Sequence, residues 1–362
     1  MRKLFALAAF AGLLAPVAAQ DTKPKEDPPK KEALKVGDKA PAVKATKWLQ
    51  GAEVKEFAEG KTYVMEFWAT WCGPCIVMMP HMGELQAQYK AKGVTFIGFT
   101  AKDPNNTLEK VQALVEKRGP KLGYTFAYAD DRETYDAWMK ASGQGGIPCC
   151  FVVDKAGKIA YIGHPMYLDV VLPKVVAGKW TEADTEGLKK IEEEVNAVFK
   201  ASGDKDPEVF LKTLGDFEKK YPELAGIPYF HSGRLSSLVK AKKTDEVKKV
   251  AEDLLAKAVK ADDSGLANTV TRTLVLFPDA VANKDLHATA LKAAEAGLKL
   301  AGEKDAVALF FVAEAHFING DKAKAKDFGA KSLAAADGPL KTDIEMRVKR
   351  YDDEKKEEKK DK

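Results

Sequence analysis

Beyond its first 19 residues the chain has no apolar run long enough to cross a bilayer, so the mature protein is expected to be soluble. Cysteine and histidine are scarce, at four and five residues. The single CxxC has no second CxxC and no paired histidines at ligand spacing, which argues against a zinc site, and neither metal nor cofactor is expected. Charge of one sign is missing too. With 58 Lys and Arg against 54 Asp and Glu there is no basic surplus of the kind that nucleic-acid binding requires. Strand-like runs almost disappear after Trp180, where Ala, Lys, Glu and Leu at helical spacing take over.

What is present begins with Arg2 and Lys3, an apolar stretch over 4–14 and Val17-Ala18-Ala19. That pattern reads as a secretory signal peptide over 1–19, with no cysteine at the cleavage point for a lipid anchor. Export to the periplasm follows. Residues 20–33 are rich in Lys, Glu, Asp and Pro and read as a disordered linker. The remaining length suits two domains, expected over 34–179 and 180–340, before a charged tail over 341–362.

The chain is organised around residues 63–80, YVMEFWATWCGPCIVMMP. A buried strand breaks at Ala69-Thr70-Trp71 into Cys72-Gly73-Pro74-Cys75, and a Met-rich helix follows. The open N–H groups and dipole at a helix start stabilise a thiolate on Cys72, which is the expected attacking sulfur. Cys75 falls one turn deeper on the same helix face and is the expected resolving sulfur. Gly73 permits close approach, and Pro74 fits a first turn where its missing N–H costs nothing. A structural disulfide is the plainer alternative, although a Trp-flanked pair at a helix start staples no distant segments. Glu66, between Met65 and Phe67, reads as a buried carboxyl with a raised pKa rather than an edge-strand carboxylate.

These residues resemble the active site of the thioredoxin superfamily. The resemblance implies that Glu66 relays a proton to and from the resolving thiol, that Pro80 kinks the active-site helix, and that Ile147-Pro148 is the cis-proline loop facing the cysteines. Strands over 62–67, 94–100, 124–129, 149–154 and 159–162 alternate with helices over 73–92, 107–118, 132–141 and 168–177. An N-terminal hairpin over 43–57 precedes them. The order is similar to an α/β thioredoxin-like fold, a central mixed sheet flanked by helices. The entry VGDKAP at 36–41, the extra hairpin, and Gly157-Lys158-Ile159 with Gly163-His164-Pro165 resemble the exported TlpA/ResA-like, or redoxin, branch. That branch implies a protein-disulfide reductase fed by a membrane thiol electron donor and acting on disulfide-bearing exported proteins. Peroxidase chemistry is not expected, because Met65 and Ala69 stand where peroxiredoxins carry Pro and Thr or Ser.

In the substrate mode that follows, an extended peptide lies beside Ile147 and Trp71 as an added strand, with Trp138 and Met139 either at its rim or in the core. Cys149 and Cys150 follow Pro148 where Thr is common. Both read as buried small residues, or one, written here as Cys149, is a third thiol able to trap a mixed disulfide or hold Cu(I) with Cys72 and Cys75. His81 and His164 read as structural or surface residues. The helices after Trp180 are expected to form an all-α array of TPR-like hairpins, clearest over 306–334, that binds a protein partner or a second copy. A scaffold role centred on this array is the alternative to catalysis.

Overall fold

The computed structural model describes residues 33–352, of which 34–352 belong to one compact unit. The expected signal peptide, nearly all of the expected linker and the last ten residues lie outside the described residues.

The run TYVMEF supplies apolar side chains to both faces, so it forms a strand covered on both sides, β2 (Thr62–Phe67), in which every residue is buried. Around it stand β1 (Lys47–Gln50), β3 (Val94–Ala101), β4 (Thr125–Ala129), β5 (Cys149–Val153) and β6 (Ile159–Gly163). The sheet order is β1-β4-β3-β2-β5-β6. β2, β3 and β4 are parallel, while β1, β5 and β6 pair antiparallel with their neighbours. Alternation along β2 sends Val64 toward one face and Tyr63, Met65 and Phe67 toward the other. On the Val64 face pack α1 (Gly73–Tyr89), α2 (Leu108–Leu122) and α4 (Leu168–Val176). The opposite face is covered by the short α3 (Glu133–Tyr135), the π-turn after it, and the segment leading to β2. This is the thioredoxin-like layering expected from the sequence.

The helical remainder comprises α5 (Glu182–Ala201), α6 (Pro207–Lys220), α7 (Tyr229–Lys240), α8 (Thr244–Ala261), α9 (Ser264–Leu276), α10 (Pro278–Ala282), α11 (His287–Ala301), α12 (Ala306–Ile318), α13 (Lys322–Ala335) and α14 (Gly338–Val348). α5 opens on a capping box in which Thr181 and Asp184 satisfy each other's backbone N–H groups. Leu188, Ile191, Phe210 and Phe230 belong to the same apolar cluster as α1 and α4, so the sheet and the first helices share one core. α7 to α14 build a second cluster.

Two expectations need correction. The N-terminal hairpin is a single strand: β1 pairs with β4 and nothing pairs with its other arm among the described residues. The charged stretch after Gly51 has only Val54 and Phe57 to bury, and these dock singly, Phe57 edge-on against Tyr63 and Trp138. The charged tail expected over 341–362 is ordered over its first residues. α14 continues into a turn where the Tyr351 hydroxyl donates to Glu314 Oε1 at 2.6 Å and Arg350 pairs with the other carboxylate oxygen. Glu314 is fully buried, and a buried charge needs such partners.

Candidate active site

Cys72 caps α1 in extended backbone conformation, and its Sγ accepts the Cys75 N–H at 3.2 Å. The two sulfurs are joined as a disulfide across 5.3 Å between Cα atoms. Both cysteines are buried, Cys75 completely, while Gly73 and Pro74 between them are exposed. The fold asks nothing special of Gly73: its φ is ordinary and an added Cβ would meet no atom within 4 Å. Its bareness therefore leaves room on the outer side of the motif. Pro80 sits inside α1 as expected.

The turn before Cys72 is bracketed by a residue that the sequence reading passed over. Buried Asn106 accepts the Thr70 N–H at 2.8 Å and the Thr70 hydroxyl at 2.9 Å. Its amide nitrogen donates to Thr100 Oγ1 and to the Ala101 carbonyl, each at 2.8 Å. Thr100 in turn donates to the Trp68 carbonyl at 2.6 Å. The motif's leading edge is thus fastened to the C-terminal end of β3, and an isolated Asn in a loop carries no motif that would have disclosed this. Trp71 is 57 % exposed, with its indole N–H donating to Asp103 at 2.9 Å.

Ile147-Pro148 is a cis peptide bond, with Pro148 buried and Ile147 partly buried. Ile147, Gly146, Trp71, Phe67 and Tyr135 line a groove of about 330 Å³. Among the described residues no backbone–backbone hydrogen bond engages Gly146 or Ile147. Trp138 and Met139 are fully buried in the same cluster, Trp138 with its ring against Phe57, Phe67 and Phe151, which makes both core rather than rim.

Glu66 has no exposed surface and, by strand alternation, points to the face that α1 covers. Burial lifts its pKa to about 8; the Tyr124 hydroxyl pulls weakly the other way. Neither carboxyl oxygen, nor that hydroxyl, has a partner at hydrogen-bonding distance. It is a carboxyl held protonated near neutrality, next to the strand that pairs it with Cys150.

The two remaining cysteines divide as neighbours on a strand must. Cys150 shares the cluster of Cys72 and Cys75, whereas Cys149 packs in the cluster on the opposite face of the sheet. The expectation of Cys149 as a third thiol beside the pair is thereby corrected. The third sulfur on the active-site face is Cys150, and burial drives its thiol well above the usual range. Burial likewise pushes Cys149 up to about 12.

His81 is tied down: its Nε2 lies 2.7 Å from Asp169 on α4. Burial opposes its charge, but hydrogen bonds to Asp169 and Glu84 outweigh that and raise its pKa to about 9. His164 accepts the Met166 N–H at 3.1 Å, and burial lowers its pKa to about 4.

Residues 35–166 match the Redoxin family. The chain is 33% identical over 162 residues to Protein FixW of Rhizobium leguminosarum, covering 44% of this chain and 73% of that protein. It is 35% identical over 133 residues to thiol-disulfide oxidoreductase ResA of Geobacillus thermodenitrificans, covering 36% of this chain and 71% of that one. A solved thioredoxin domain of a thiol-disulfide oxidoreductase from Bacteroides vulgatus is 23% identical, with coverages of 40% and 99% and a TM-score of 0.33. With the CGPC pair at the head of α1 and relatives matched over more than two thirds of their length, the chain belongs to the ResA-like redoxin family of thiol-disulfide oxidoreductases.

Proposed function

We propose that this chain is an exported protein-disulfide reductase in which Cys72 attacks, Cys75 resolves and Glu66 carries the proton. The observation that carries the reading is the conjunction at one helix start. The Cys72 sulfur already accepts a backbone N–H, Cys75 is sealed behind it, a buried carboxyl with a raised pKa sits on the face that α1 covers, and a groove lined by Trp71 and Ile147 lies next to the motif.

In the reduced protein the Cys72 thiolate attacks one sulfur of a client disulfide, and the other client sulfur leaves as a thiolate that takes up a proton. Cys75 then gives its proton to Glu66 in its ionised form, a minority at neutral pH, and attacks Cys72 Sγ, which releases the second client sulfur and leaves the Cys72–Cys75 disulfide. Two electrons pass to the client. Glu66 with a pKa near 8 is matched to receiving and returning a proton around neutral pH. Pro148 and Ile147 hold the client strand, while Trp71, Gly73 and Pro74 form the surface it meets. An exported dithiol has no cytosolic reductant within reach, so a membrane thiol donor must restore it. The helices after Trp180, read as TPR-like hairpins, supply a surface for a partner protein.

The test is to incubate Cys75→Ser, reduced, with a disulfide-bearing peptide. A stable mixed disulfide through Cys72 supports the assignment. If Cys72→Ser forms the same adduct through Cys75, the roles are reversed.

A further inference from the structure

The helical region reaches into the active-site motif at one point. Tyr229, the first residue of α7, donates its hydroxyl to the Pro74 carbonyl at 2.9 Å, across 155 residues of sequence. Its ring meets His164 edge-on with centroids 5.4 Å apart, so it is held on one side by the loop after β6 and on the other by the motif. Burial and the neighbouring Glu66 both raise the phenol's pKa, so it remains a donor at every working pH. Tyr229 lies far outside residues 35–166, the span matched by the Redoxin family.

The Pro74 carbonyl belongs to the same peptide group as the Cys75 N–H, and that N–H is the donor resting on Cys72 Sγ at 3.2 Å. We infer that Tyr229 is a positioning residue for the nucleophile: its hydroxyl, the Pro74–Cys75 peptide and Cys72 Sγ form one hydrogen-bonded chain through which the helical region stabilises the Cys72 thiolate. A donor placed on a carbonyl polarises its amide and strengthens the N–H on the far side, and it also fixes the plane in which that N–H points. The inference rests on the reading of Cys72 as the attacking thiolate. It adds that the helices after Trp180 take part in setting the dithiol's reactivity and are more than a partner-binding surface.

Tyr229→Phe removes the hydroxyl and keeps the ring against His164. Cooperative strengthening of about 10–30% per bond, acting on a charge-assisted hydrogen bond, corresponds to roughly a two- to threefold change in the thiolate equilibrium. The variant's Cys72 pKa, titrated by thiolate absorbance in the reduced full-length protein, should rise by about 0.3 to 0.5 units. Since a stabilised thiolate favours the reduced form, its loss lowers the potential. A threefold change is about 14 mV more negative, at 29.6 mV per tenfold.

Wild type and Tyr229→Phe are titrated and equilibrated side by side against glutathione, with thermal unfolding as a third readout. A raised Cys72 pKa together with a more negative potential supports the proposal. A lowered unfolding midpoint with pKa and potential unmoved assigns Tyr229 a packing role only and overturns it. A wild-type protein whose Cys72 shows no thiolate near neutral pH is a failure of the underlying reading, and is seen without the variant.

Discussion

Replacing Glu66 by Gln should stabilise the protein and impair it, in amounts that depend on pH in a stated way. An acid whose folded pKa is raised is favoured in its protonated form by the native state. Between about pH 4.5 and 8 the unfolded chain releases this proton first, so stability falls as pH rises through that window. With 4.5 unfolded and about 8 folded, the penalty is close to zero at pH 4 and about 3 kcal/mol at pH 7, and it levels off near 5 kcal/mol above pH 8. Gln has the same shape and no charge, and because neither Glu66 oxygen has a partner, the exchange breaks no hydrogen bond. Urea unfolding of the oxidised pair of proteins should therefore show equal stability at pH 4 and a Gln variant more stable by about 3 kcal/mol at pH 7. In the same variant the resolving step at pH 7 should slow by roughly one to two orders of magnitude, since general-base help is lost. A stability difference that stays constant from pH 4 to 9 would refute the claim that Glu66 is buried and protonated.

Further outcomes follow from the same geometry. His81 has a pKa raised to about 9 by Asp169 and Glu84, so its stabilisation is complete below pH 6.5 and is lost as pH rises through 9. The gap in stability between wild type and His81→Gln should shrink from about 3 kcal/mol at pH 6 to near zero at pH 10, and a gap that grows with pH reverses the assignment. Asn106→Ala leaves the Thr70 N–H without its partner and should cost about 1–3 kcal/mol in urea unfolding. A loss under about 0.5 kcal/mol would mean that the bracket between β3 and the motif does not hold the turn.

Much of this was legible in the chain. The strand TYVMEF with one acid in an apolar run, the CGPC break and the Met-rich helix after it each obey a local rule, and β2, Glu66 and α1 stand where those rules put them. The sequence suggests a hairpin at 43–57 because apolar residues near a turn look the same whether they pair or dock singly. β1 found its partner in β4, nearly 80 residues on, and its other arm found none. As strand neighbours, Cys149 and Cys150 allow at most one of them to face the site, and which one does so depends on register with β2, a non-local fact. Asn106, Tyr229 and the bond of Tyr351 to Glu314 act through contacts 36 to 155 residues apart, and no spacing pattern encodes those.

The central claim is that Cys72 and Cys75 work as a reductant. Its most direct test is the reduction potential of the pair in the mature, full-length protein, equilibrated against glutathione or dithiothreitol. The account predicts a value close to about −270 mV, where the dithiol gives up electrons readily. A value close to about −120 mV would mark a strong oxidant and contradict the direction of electron flow proposed for this protein.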